Sequence, residues 1–133
     1  MATTRTAVNP VAWSLERGFN QGEVVSDHAR TLFISGQTAT DAHGAPQHDG
    51  DMAAQLQLSL DNVEAVLTEA GMSLADLVRL NVYATDIEAL LPHYGVLASR
   101  LQAAEVAPTT TMLGVSRLAI PGLLVELEGI AVG

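Results

Sequence analysis

No cysteine occurs among the 133 residues, which excludes disulfides, thiolate nucleophiles and cysteine-held zinc or iron–sulfur centres. Lysine is also missing. Arg5, Arg17, Arg30, Arg79, Arg100 and Arg117 are the six cationic side chains, so no Schiff base can form on a lysine amine. Charge is sparse and one-sided: charged residues make up 16% against 48% apolar, and fifteen acidic side chains give a net charge of −9. A chain this acidic is repelled by nucleic-acid phosphates and by anionic lipid, so neither nucleic acid nor a membrane is an expected partner. The apolar fraction excludes a disordered chain, and the scarcity of charge predicts that part of the surface is covered in an oligomer.

Long hydrophobic runs are lacking as well. Residues 1–8 contain no apolar stretch of signal-peptide length, and the apolar tail Leu118–Gly133 is interrupted by Pro121-Gly122, Glu126 and Glu128. A soluble, cytoplasmic protein is the expectation. At this length the chain is expected to form a single domain over 1–133, with residues 1–16 as an N-terminal extension.

What is present falls into a readable order. Phe19–Val25 and Thr31–Ser35 read as two strands joined through the polar Ser26–Arg30 hairpin. Gly36–Gly50 is rich in glycine and polar residues and reads as a loop. Asp51 can cap a helix whose apolar stripe runs Met52, Leu56, Leu60, Val63, Leu67, Ala70, with Gly71 at the left-handed terminus. Leu77–Tyr83 alternates as a third strand. Asp86 and Pro92 introduce a second helix over about Leu91–Ala104. Beyond Pro108, Thr109–Val115 and Leu123–Val132 read as two last strands, expected to be adjacent. The order ββαβαββ predicts an α+β domain with one sheet and both helices on a single face. The other sheet face has no cover within the chain, and a closed ring of copies would supply one.

The segments Gly18-Phe-Asn-Gln21, Leu32-Phe-Ile-Ser-Gly-Gln37, Leu60-Asp-Asn-Val-Glu-Ala-Val66, Val78-Arg-Leu-Asn-Val-Tyr-Ala-Thr-Asp86, Leu113-Gly-Val115 and Val125-Glu-Leu-Glu-Gly-Ile-Ala131 resemble the RidA (YjgF) family. The resemblance implies a chorismate-mutase-like fold, a homotrimer, and clefts lined by two neighbouring subunits. It implies a reactive-intermediate deaminase chemistry in which an imine or enamine such as 2-aminoacrylate is hydrolysed to a ketone and ammonia, independent of metal and with no cofactor. The ligand would be a small-molecule metabolite. Members with this activity hold the substrate carboxylate with an arginine, which aligns with Thr110 here; threonine cannot form a bidentate charged fork. Tyr94 stands where many members have asparagine, and Phe19 where tyrosine is frequent.

Glu126 and Glu128 lie two residues apart on a strand, so both point to one face about 7 Å apart. Spacing alone fits a polar strand face equally well; the resemblance places Glu126 in the cleft as the catalytic group that polarises water, with Glu128 outside the site. Ser35-Gly36-Gln37 is expected to end a strand in a tight turn, glycine allowing close approach of a ligand; a plain strand terminus fits the residues equally well, and it is the resemblance that implies a cleft wall at Ser35 and Gly36. Thr110 and Thr111 could hydrogen-bond a neutral ligand, although a β-branched run is also simply a strand signal. Arg17, or Arg117, could replace the missing cation. His28, His43 and His48 fall in loops without metal-ligand spacing, and His93 lies beside Tyr94. The expected function is therefore a RidA-family hydrolase that is not a typical 2-imino acid deaminase. The alternatives are a non-catalytic trimer that binds a metabolite or protein, and an isomerase or lyase step.

Overall fold

A computed structural model describes residues 2–133. The first helix forms where the sequence placed it. α1 (Met52–Glu69) starts at Asp51, whose carboxylate accepts from the Ala54 amide at 3.0 Å, and ends before Gly71 at φ 73°. Its stripe Met52, Leu56, Leu60, Val63, Leu67 is buried against the sheet. The second helical segment is more broken than expected. α2 (Ile87–Leu90) is capped by Asp86, a single 3-10 turn follows over Leu91–His93 at Pro92, and α3 (Tyr94–Ala103) completes it.

The strands depart from the expectation in four ways. Thr4–Val8, within the expected extension, forms β1 and pairs antiparallel with β2 (Gly22–Ser26). The Ser26–Arg30 hairpin is not formed: the amides of Ala29 and Arg30 donate to the Gly133 carbonyl at 3.2 and 2.9 Å. The β1–β2 ribbon is fixed instead by Arg5, which pairs with Glu23 and donates to the carbonyls of Ala75 and Leu77.

The main sheet has the order β3 (Thr31–Gln37), β6 (Val125–Val132), β4 (Leu77–Ala84), β5 (Thr109–Gly114). The last two strands are thus not adjacent. The helical crossover after β4 returns the chain in the same direction, which makes β5 a parallel neighbour on the outer side of β4. Residues 115–124 then carry the chain back, and β6 enters antiparallel between β3 and β4. The fourth departure is at Ser35-Gly36. They do not end the strand in a turn; Ile34 pairs with Gly129 and Gln37 with Leu127, so Ser35 and Gly36 together oppose Glu128 in a β-bulge.

Both longer helices cover one face of this sheet, over a core of Ile34, Leu77, Leu80, Val82, Val125 and Leu127. The opposite face carries Phe33, which is 74% exposed, with Ile130, Arg79, Asn81, Tyr83, Glu126 and Glu128. No helix among the described residues is long and apolar enough to cross a membrane.

Candidate functional site

The expected site residues fall into two groups. Ser35, Gly36 and Glu126 form the first, at the bulge. A Cβ built on Gly36 would overlap the Glu126 carboxylate, so the glycine is what lets this carboxyl group lie on the backbone of β3. Burial there, and secondarily the negative charge of Glu128, pushes the Glu126 carboxyl above the ordinary carboxylate range. Such a group can exchange a proton nearer neutrality than a solvated glutamate does.

Glu128 shares the face but not the environment. Strand register sets Asn81 opposite it and Tyr83 opposite Glu126. The Tyr83 hydroxyl donates to Glu128 Oε1, and Asn81 Nδ2 donates to the same oxygen at 3.1 Å. These bonds, with the charge of Arg79, hold Glu128 below the usual carboxylate range, while its proximity raises Tyr83. Glu128 is thus held in a clasp from β4. Arg79, Asn81 and Tyr83 were legible as polar alternation along β4, but only the β4–β6 register shows that they meet Glu128.

The second group surrounds a hollow of about 720 Å³ between α3, β5 and the segment around residues 15–19. Arg17, Phe19, Tyr94 and Thr110 all line it. Phe19 is set by a T-shaped contact with Trp13 at 5.7 Å, and the Arg17 guanidinium lies over the Trp13 ring at 5.9 Å. Gly18, at φ 85°, turns the chain so that this short segment folds back. Tyr94 donates to the Arg17 carbonyl at 3.3 Å, and burial raises its phenol. Thr110 donates to the Pro108 carbonyl at 2.9 Å.

Thr111 does not join Thr110. Adjacent strand residues face opposite sides, and Thr111 instead receives Arg79 Nη2 at 2.6 Å beside the Glu128 clasp. Arg117 donates to the neighbouring Leu118 carbonyl at 3.3 Å and is not part of the hollow's lining. His93 is exposed and also outside the lining. Among the described residues, no three histidine, aspartate or glutamate side chains converge as metal ligands do. Within one chain, the lining of the hollow includes none of Ser35, Gly36 or Glu126.

The geometry has counterparts in known proteins. A family model described as Endoribonuclease L-PSP matches residues 12–133. A RutC family protein from Pyrococcus horikoshii is 34% identical over 100 residues, covering 75% of this chain and 77% of its own. YyfB from Yersinia pestis, a member of the Rid protein family, superposes with a TM-score of 0.84 at 31% identity, covering 97% of this chain and 98% of its own. E. coli TdcF, solved with bound serine, gives 0.71 at 29% identity over 86% and 87% of the two chains. With a match that runs through nearly all of the sequence and the same α+β architecture in its relatives, the chain belongs to the RidA/YjgF family.

Proposed function

We propose that the protein is a homotrimeric small-molecule hydrolase acting on a C=N bond, in a cleft where the Ser35–Gly36–Glu126 group of one subunit meets the hollow of the next. The observation that carries this reading is the Glu126 carboxyl group, partly desolvated over the bare backbone of Gly36. An ionised Glu126 takes a proton from water as the water oxygen bonds to the imine carbon and the C=N π pair moves to nitrogen, and the protonated carboxyl then passes that proton to the nitrogen. In the collapse of the carbinolamine Glu126 carries the hydroxyl proton to the amine, the C–N bond breaks as C=O forms, and ammonia leaves with the carboxylate restored. Ser35, exposed on the same bulge, supplies a hydroxyl and Gly36 a backbone amide for positioning. The net charge of −9 favours a small neutral substrate over a polyanion such as RNA.

Position 110 separates this protein from an imino-acid deaminase. Losing a charged carboxylate contact costs about 2–5 kcal/mol, so freshly generated 2-aminoacrylate should be deaminated roughly 30-fold to several-thousand-fold more slowly than by an arginine-bearing relative. Turnover within threefold of that relative would show another anchor, Arg17 first. On any imine that is turned over, Glu126→Gln keeps the volume, removes the base, and should cut the rate about 10²–10⁴-fold. An unchanged rate in Glu126→Gln removes the hydrolytic reading. If 2-aminoacrylate and simple ketimines are all untouched by the wild type, a trimeric binding module takes its place.

A further inference from the structure

We propose that the hollow selects an uncharged molecule with a bulky aryl or alkyl body. This rests on reading the hollow as the ligand-binding half of the proposed cleft. Three observations lead there. The first is size: about 720 Å³ lies within the range of sites for drug-sized ligands, whereas 2-aminoacrylate would leave most of it empty.

The second is the wall. Phe19, Leu91, Tyr94, Leu101 and Met112 form its body, with Ala98 opening a gap on α3. Three uncharged polar side chains lie among them: the Thr110 hydroxyl is turned to Pro108, the Tyr94 hydroxyl to Arg17, and Gln102, on the exposed side of α3, offers a neutral amide. The two hydroxyls are already engaged, and none of the three groups carries a charge to pair with a charged ligand atom. An apolar body entering such a wall displaces water that has few partners there, which favours binding without charge pairing.

The third is the charge at the mouth. Glu16 and Glu105 line the hollow together with Arg17, and Arg17 already faces the Trp13 ring. A carboxylate would meet two like charges for one occupied cation, and nothing cationic on the inner wall. The restriction on the ligand therefore comes from the whole lining, not from position 110 alone.

N-Phenyl-1-naphthylamine, an uncharged probe that fluoresces in apolar surroundings, tests this on the intact protein. Saturable binding to the wild type is expected, without displacement by millimolar 2-oxobutyrate. Ala98→Phe, which fills the gap on α3, should weaken probe binding at least about tenfold, as expected for losing one buried aromatic contact. Thr110→Arg should weaken it similarly and gain competition by 2-oxobutyrate; both variants are compared after their melting temperatures are shown to match the wild type. The proposal is overturned if the wild type does not bind the probe saturably, if both substitutions leave binding unchanged, or if 2-oxobutyrate displaces the probe from the wild type. Binding without hydrolysis of any imine would leave this inference standing and remove the hydrolytic reading. Rapid turnover of 2-aminoacrylate without probe binding would do the reverse.

Discussion

A methyl group added at Gly36 would take the space now held by the Glu126 carboxylate. The overlapping atoms are the far end of a flexible side chain, and Gly36 is not among the positive-φ glycines, so backbone strain is not an issue. Gly36→Ala should therefore leave the melting temperature within a few degrees of wild type and yet lower activity as strongly as Glu126→Gln does; an active Gly36→Ala protein would mean that Glu126 need not lie on the bulge. The two glutamates also carry opposite proton linkages. Glu128 has a lowered value in the fold, so its contribution to stability is present above the ordinary carboxylate range and is lost as pH falls through that lowered value. Tyr83→Phe removes the first cause of the lowering. The stability gap between it and the wild type should be widest near pH 7 and shrink toward pH 3, as urea melts would show. Glu126, raised in the fold, stabilises at low pH and loses this as pH rises through its raised value. If it acts as the base, the acidic limb of the rate profile follows it. Glu128→Gln, which removes the smaller of its two causes, should move that limb modestly to lower pH without abolishing turnover.

Among the elements, α1 does more than fill the core. Gln55 is fully buried on it, donating to the carbonyls of His48 and Gly122 at 3.1 and 2.9 Å and accepting the Leu124 amide at 2.8 Å. It ties the loop before α1 to the segment that leads into β6. Gln55→Leu leaves the Gly122 carbonyl and the Leu124 amide unpaired, while the His48 carbonyl keeps the Asp51 amide, and should cost about 2–4 kcal/mol, read as a lower urea midpoint at constant slope. In the sequence, α1 was legible to its caps because its stripe and both termini are local signals. Gln55 was not, since a polar residue beside an apolar stripe looks like the start of the wet face. β1 gave no sign either: Thr4–Val8 is exposed at four of its five positions, so no alternation marks it. The place of β6 between β3 and β4 depends on which distant strand wins a partner, and local pattern does not hold that choice. The site divides along the same line. Glu126 stood out by alternation and resemblance, whereas the hollow is assembled from three separated stretches and the Glu128 clasp from strand register.

For the whole molecule, the uncovered sheet face is the main consequence of having two helices and one sheet to cover. Phe33 at its outer edge is 74% exposed, and Ile130 pairs beside it. In the proposed trimer this face is shared between copies, and light scattering should give three times the 13.9 kDa chain mass. Phe33→Asp puts a charge where the copies would meet and should return the mass to that of one chain. A wild-type monomer at micromolar concentration would remove both the trimer and the shared cleft. Because each copy carries −9, association brings like charges together, so raising salt should favour the assembled form.

Strand β5 sends Thr110 and Met112 to the hollow while Thr111 meets Arg79 on the sheet's other face. One short run of sequence thus holds two independent instructions, interleaved residue by residue. Changes at even positions could retune what the protein accepts, while odd positions keep the surface that copies would recognise. A lineage could then explore new chemistries one nucleotide change at a time without first dissolving its own assembly.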